Sequence, residues 1–344
     1  MRKASKPIKP MPIIHTQSDN SQDPEVQQII SSLPVTINGY LFEEVIGTGS
    51  YGVVFKVYHY GYKRVFAGKM LYLKDDKTTQ EHVESEINIL THLMHPNIIK
   101  IYEYFRYKSR LIMIFQYCQN GTLKNLIHSG FGIQRDLIFP FMKQMTDALA
   151  YLHENEIAHL DIKTTNVFVD NFMRPLLADF GLSCHNDGVE QMNSYSGSVI
   201  YRSPEMIQQI PYDPFKADVW ALGVTFFMMV TGNSPWQMYN IESLKKSIIN
   251  NQYEMPETVD PDVADVIRRM LVIDPVMRPS ISEIAQLPFF QKLQEQSKSS
   301  KNVCAISRQM SQNRCLKLMS ITKKNHHYSA SSLDVFNTAF KTEV

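Results

Sequence analysis

The apolar positions change their period along the chain. Residues 1 to about 38 are rich in Pro, Ser, Gln and Asn, with Lys6-Pro7-Ile8-Lys9-Pro10-Met11-Pro12 near the start. They sustain neither a helical nor a strand period, so a disordered arm is expected for residues 1–38. From Tyr40 to about Gln80 the pattern becomes short alternating runs of β-branched and aromatic residues: Leu41–Ile46, Val53–Tyr60 and Arg64–Leu73. Glycine or lysine-rich turns break these runs, which predicts an antiparallel sheet. Between Thr78 and Leu93 the apolar residues Val83, Ile87, Leu90 and Leu93 are spaced by three and four, the signature of one helix face. Two further strand-like runs, Ile98–Tyr107 and Arg110–Tyr117, complete a small lobe.

After the turn-forming Gln119-Asn120-Gly121 the period becomes helical. Helices are expected at Leu123–His128, Leu137–Glu154, Ala217–Val230, Ile241–Asn250 and Pro261–Leu271. The pattern therefore predicts an α+β domain over residues 39–290. A β-rich lobe at 39–118 with one helix is followed by a larger, mainly helical lobe at 119–290, with a cleft between them. Beyond Phe290 the Ser-, Lys- and Gln-rich tail, 291–344, has no period and is expected to be disordered.

Composition narrows the class of function. Four cysteines in 344 residues, without close spacing or partner histidines, give neither a disulfide framework nor a zinc site and suit a reducing compartment. The longest apolar run, Val219 to Val230, is about a dozen residues, short of the roughly 20 that a membrane span requires. A soluble, cytoplasmic protein is expected, with the nucleus also open to it. The formal net charge of +1 offers no case for nucleic acid as a partner. Its distribution is uneven: residues 40–290 hold 22 Lys/Arg against 28 Asp/Glu, and residues 291–344 hold nine against three. A basic tail of this kind could engage the acidic domain and regulate it.

Chemistry concentrates in a few ordered motifs. Gly47-Thr48-Gly49-Ser50-Tyr51-Gly52 lies between two strand-like runs, where backbone without side chains can approach phosphate oxygens. A dinucleotide-binding reading would need a helix right after the glycines, and a strand follows instead. Lys69, in Ala67-Gly68-Lys69, is a strand-held ammonium suited to phosphates, and Glu86 adjoins the apolar stripe of the following helix as its natural anionic partner. Glu84 lies on a different face. Three motifs then follow in order: His159-x-Asp161-x-Lys163-x-x-Asn166, Asp179-Phe180-Gly181 and Ser203-Pro204-Glu205.

This ordered set resembles the eukaryotic protein kinase family, serine/threonine-directed branch, over about residues 40–290. The resemblance implies a bilobal kinase fold and transfer of the γ-phosphoryl of Mg-ATP to Ser/Thr hydroxyls of protein substrates. It implies Asp161 as catalytic base, Lys163 reaching the γ-phosphate, and Lys69 oriented by Glu86. Asn166 and Asp179 become ligands of Mg²⁺. ATP is expected beneath Ile46, Gly47, Thr48, Gly49, Ser50, Tyr51 and Gly52, with Val54, Ala67 and Phe168 around the adenine. Gln116 and Cys118 supply hinge contacts and Phe115 stands at the gatekeeper position.

By the same resemblance Ser198 bridges Asp161 and Lys163, Asp218 holds the catalytic-loop backbone, and Arg278 pairs with Glu205. Leu160 stands where many members carry the arginine that pairs with an activation-loop phosphate. Activity is therefore not expected to depend strongly on phosphorylation of that loop, although the segment from Asp179 to Glu205 contains Ser194, Tyr195, Ser196 and Ser198. Thr122 and Thr165 replace acids used by members that prefer basic substrates. Two other readings remain open. A scaffold without turnover is disfavoured because Lys69, Asp161 and Asp179 are all present. A small-molecule kinase is disfavoured by Ser198, Ser203-Pro204-Glu205 and the Asp218 helix.

Overall fold

A computed structural model of the chain describes residues 23–49, 52–72, 77–185, 198–237 and 239–291. The expectations for residues 1–22, for Ser50 and Tyr51, for Ser194, Tyr195 and Ser196 and for the tail from 292 lie outside the described residues. The described elements belong to one unit ending at Phe290.

Six strands build the first lobe: β1 (Val35–Ile37), β2 (Tyr40–Gly49), β3 (Gly52–His59), β4 (Arg64–Tyr72), β5 (Ile101–Tyr107) and β6 (Arg110–Gln116). They form one antiparallel sheet in the order β1-β2-β3-β4-β6-β5. Alternation sorts their side chains. On β3, Val53, Phe55 and Val57 are buried while Val54 and Lys56 are half-buried on the opposite face. Register carries that division across the sheet, pairing Val54 with Lys69, Ala67 with Phe115 and Lys69 with Met113. A period of two therefore puts Val54, Ala67, Lys69, Met113 and Phe115 on one face.

The opposite face is covered by a segment expected to be disordered. Residues 23–37 instead form helix α1 (Pro24–Ser31) and strand β1. Asp23 caps α1 by accepting the N–H groups of Glu25 and Val26, and Pro24 opens the first turn. Val26, Ile29 and Ile30, spaced by three and four, face the sheet, and Val26, Ile29 and Ile37 join Tyr40, Phe42, Phe55, Met70 and Ile112 in one core. Arg110 ties the segment down through ion pairs with Asp23 and Glu25. The sequence signal was a short one, three apolar positions beside a polar arm, and tertiary contact rather than intrinsic propensity stabilises so short a helix.

Helix α2 (Lys77–His92) follows β4. The connection after it binds the two lobes: Asn97 donates through Nδ2 to Gln144 Oε1 at 2.7 Å and to the Pro175 carbonyl at 2.8 Å. Its own carbonyl accepts the Leu177 N–H at 2.9 Å.

The second lobe contains α3 (Leu123–Leu126), α4 (Arg135–Glu154), β7 (Ile157–Ala158), β8 (Val167–Val169), β9 (Pro175–Leu177), β10 (Cys184–His185), a 3-10 turn at Val199–Tyr201, α5 (Pro204–Ile207), α6 (Pro214–Thr231), α7 (Ile241–Ile249), α8 (Pro261–Met270) and α9 (Ile281–Ala285). Helix α6 is apolar on nearly every side and is buried as the axis of this lobe. Asp213 and Pro214 start it, and Gly232 ends it at φ +74°, where a Cβ would overlap the His128 carbonyl oxygen. Among the described residues no helix is long and apolar enough to cross a membrane.

Fully buried Arg278 locks α5 and α6 to the segment after α8. All five of its N–H donors are used: Nε to the Val272 carbonyl, Nη1 to Glu205 Oε1 and the Lys216 carbonyl, and Nη2 to Glu205 Oε2 and the Ile273 carbonyl. A buried ion pair satisfied this completely escapes the penalty of a half-paired charge.

If α1 is an integral part of the sheet's core, Ile29→Ala lowers the unfolding free energy by about 2–4 kcal/mol. Denaturant titration measures this, and exposed Gln28→Ala is the matched control, expected to be near neutral.

Candidate active site

The site is assembled where the inner face of the sheet meets the β7–β8 loop and the segment after β9. The glycine turn between β2 and β3 is pinched by the Gly49–Gly52 pair. Gly52 has φ +137°, and a Cβ there would overlap the Met70 carbonyl oxygen, so both backbone conformation and space demand glycine. Ile46 is exposed on the strand leading into this turn.

Below the turn, Lys69 Nζ lies 3.3 Å from Glu86 Oε1 and 3.6 Å from Asp179 Oδ1. Strand β4, helix α2 and the segment after β9 thus meet at one ammonium group. Burial alone would lower the Lys69 pKa, but the Glu86 and Asp179 carboxylates more than offset it and hold the group above its ordinary value. Glu86 is buried and Lys69 nearly so, which gives the pair more weight than an exposed one. Asp179 itself has φ +66°. Next to it Phe180 is buried with its ring 4.8 Å from that of His159.

The β7–β8 loop carries the second cluster. Asp161 Oδ2 accepts from Lys163 Nζ at 2.7 Å and from Asn166 Nδ2 at 2.8 Å, and the same Nδ2 also donates to the Asp161 carbonyl at 3.0 Å. Burial pushes the Asp161 pKa up, with the Lys163 cation opposing it. The loop is held from below by Asp218 on α6, whose carboxylate accepts the His159 N–H at 2.7 Å and the Leu160 N–H at 2.8 Å. His153 Nε2 lies 3.1 Å from the same carboxylate.

The other wall is apolar. Val54, Ala67 and Phe115 are half-buried on the same face, half-buried Gln116 ends β6, and Phe168 is half-buried on β8, bridged to Thr122. Cys118 is buried, and burial pushes its thiol up to about 12, so it stays protonated.

The profile of the protein kinase domain matches residues 40–290, more than two-thirds of the chain. The chain belongs to the protein kinase domain family. Among its relatives are NUAK family SNF1-like kinase 1 of Homo sapiens, 33% identical over 248 residues that cover 72% of this chain and 37% of that protein. Serine/threonine-protein kinase SIK1 of Mus musculus is 30% identical over 254 residues, 74% of this chain and 33% of that one. CBL-interacting protein kinase 25 of Oryza sativa subsp. japonica is 30% identical over 270 residues, 75% and 52% respectively. The chain thus spans about a third to a half of the length of these relatives.

Within this kinase domain one feature departs from expectation. Ser198 makes no hydrogen bond to Asp161 or Lys163 among the described residues, and Lys163 reaches Asp161 directly. Ser198 instead lines a small cavity with Leu160, Asp161 and Tyr201. Leu160 adopts φ +61°, a conformation costly for a branched L-residue by roughly 1–2 kcal/mol. Its N–H is clamped by Asp218, and its side chain packs with Ala158, Met206, Tyr212 and Ala217, with Leu182, Cys184 and Phe215 alongside. Sequence reasoning passed over Thr164, which is buried and hydrogen-bonded to Tyr201. Nothing in a lone threonine between Lys163 and Asn166 announces such a contact.

Replacing Glu86 with Gln removes one of the two carboxylates that together outweigh burial at Lys69. Nucleotide affinity is expected to fall about tenfold, the order of a lost charge-assisted bond of 1.5–3 kcal/mol, when followed by fluorescence titration. Unchanged affinity would separate Glu86 from nucleotide binding.

Proposed function

We propose that this chain is a serine/threonine protein kinase that transfers the γ-phosphoryl of ATP to Ser/Thr hydroxyls of protein substrates. One observation carries this reading. A buried carboxylate, Asp161, is held between Lys163 and Asn166 in the same cleft as the Lys69–Glu86–Asp179 cluster. Lys69, kept charged by its two carboxylates, is placed to fix phosphate oxygens. The half-buried face of Val54, Ala67, Phe115 and Phe168 suits a flat heterocycle, and Gln116 and Cys118 offer backbone groups at its edge. Asp161 accepts the proton of the attacking hydroxyl at Oδ1 or Oδ2. Lys163 steadies that carboxylate and stays close enough to meet the transferred group's negative charge.

The donor set also fits magnesium. Asn166 spends its amide nitrogen on Asp161, which leaves the amide oxygen to face a cation, and Asp179 contributes a partly exposed carboxylate. Asn166 and Asp179 would hold Mg²⁺, a hard cation that takes few protein oxygens and neutralises phosphate charge. The Thr122 hydroxyl donates to Asn125 Oδ1 and Thr165 is exposed, so neither position presents a carboxylate to a basic peptide.

The apolar seat of Leu160 supports activity that does not require loop phosphorylation, since the residue preceding the base supplies no cation for a phosphate. Exhaustive phosphatase treatment is therefore expected to leave most of the peptide kinase activity in place. Loss of nearly all of it would refute this part of the reading.

A Mg²⁺/ATP assay on a peptide library, run with wild type and Asp161→Asn in parallel, tests the assignment of the base. The variant is expected to lose roughly 10²–10⁴-fold in rate. Transfer that survives the substitution would remove Asp161 from its role, and no transfer by wild type would favour the scaffold.

The pH profile supplies an independent check. Because burial raises the Asp161 pKa, the acid limb of kcat/KM should lie above that of an ordinary aspartate, with activity lost as pH falls through it. Lys163→Met removes the cation that opposes burial, so the limb should move to still higher pH. A limb that stays fixed or moves lower would contradict the coupling.

A further inference from the structure

The tie between the catalytic loop and the chain opposite it comes from two hydroxyl groups. Thr164 Oγ1 and Tyr201 Oη lie 3.0 Å apart, and the Thr164 N–H reaches the same phenol oxygen at 3.4 Å. Thr164 is only 2% exposed. It is fixed from the other side as well, since its carbonyl accepts the Lys124 N–H at 3.0 Å from the start of α3.

Tyr201 closes the 3-10 turn, its N–H donating to the Ser198 carbonyl at 3.0 Å. From behind, Trp236 Nε1 donates to the Ile200 carbonyl at 2.9 Å. These bonds give the turn its shape and its backing but do not join it to the loop. Among the described residues, Thr164 is where residues 198–201 are hydrogen-bonded to that loop. Ser198, the residue expected to make that connection, makes none to Asp161 or Lys163.

The position of this tie matters because the turn and the loop both line one small cavity, Leu160, Asp161 and Ile162 from the loop and Ser198, Tyr201 and Arg202 from the turn and just after it, together with residues of α5 and α6. Whatever sets the separation of those walls sets where an acceptor side chain can approach Asp161. A misplacement of a fraction of an ångström at the reacting hydroxyl is enough to cost rate.

We propose that Thr164 and Tyr201 are a pair of positioning residues that hold the acceptor-side wall at its working distance from Asp161. The inference rests on the protein kinase reading and deepens it. Neither residue touches the reacting atoms; each acts through the wall it holds. Leu160 packs the same region by shape, and a non-directional apolar contact does not fix a distance as a hydrogen bond does.

The test measures steady-state kinetics for acceptor peptide and for ATP separately in Thr164→Val, Thr164→Ser, Tyr201→Phe and the Thr164→Val/Tyr201→Phe double variant. Melting temperatures are followed alongside. Loss of one neutral hydrogen bond predicts a rise of about fivefold in peptide KM, or an equal fall in kcat/KM for peptide. The KM for ATP stays unchanged. Thr164→Ser keeps the hydroxyl and should remain within about twofold of wild type, and the double variant should be no worse than either single change, as for residues sharing one interaction.

Additive losses in the double variant, equal effects on both substrates, or a lower melting temperature with unchanged kinetics would each overturn the proposal. So would a Thr164→Ser variant as impaired as Thr164→Val. A wild-type chain that transfers no phosphate would fail the kinase reading itself and take the inference with it. Normal transfer by wild type together with normal transfer by Thr164→Val would fail the inference alone.

Discussion

The catalytic loop depends on one buried carboxylate. Asp218 sits on α6, almost entirely out of water, where an ionised acid survives only if its oxygens are occupied. They are occupied by the N–H groups of His159 and Leu160 and approached by His153. That arrangement is what permits Leu160 its left-handed backbone, an unfavourable conformation maintained by the clamp and by apolar contacts around its side chain. Asp161 follows directly, so the direction of its carboxylate is set by a residue of α6 beneath the loop.

Asp218 in turn depends on α6 being immobile. The helix is buried on nearly all sides, stacked through Trp220 on Trp236, and fastened at Lys216 by an arginine that uses every donor it has. From α6 the fixed geometry passes upward through Asp218 to the loop, and from the loop through Thr164 to the turn at Val199–Tyr201. Lys69, Glu86 and Asp179 form a separate junction on the other side of the cleft, joining a strand, a helix and the segment after β9. The two junctions meet at the Asp179-Phe180-Gly181 segment, where Asp179 faces Lys69 and Phe180 lies against His159.

Charge and burial are balanced differently in the two clusters. At Lys69 two carboxylates more than offset the cost of burial, so the cation is held above its ordinary pKa. At Asp161 a single lysine does not, and the carboxylate is left easier to protonate than in water. The two clusters thus hold opposite charges under opposite pressures, a cation favoured at Lys69 and a carboxylate disfavoured at Asp161. The same reasoning explains the position of Cys118, whose burial removes it from chemistry.

Much of this was legible in the sequence. Period-two runs located β2 to β6 within a few residues, the three-and-four spacing located α2, and the order of His159-x-Asp161, Asp179-Phe180-Gly181 and Ser203-Pro204-Glu205 marked the kinase family. Those signals are local, so a linear reading can detect them. Two features were not local. Helix α1 is stabilised by a sheet surface far along the chain, which is why Val26 and Ile29 looked like isolated apolar residues in a polar arm. Thr164 and Tyr201 are 37 positions apart in sequence, and their contact exists only because α6 and the loop it supports bring the two segments together. The sequence alone determined which side chains could perform phosphoryl transfer. The tertiary structure decided which of them touch, since hydrogen bonds and burial act over a few ångströms in space and are blind to distance along the chain.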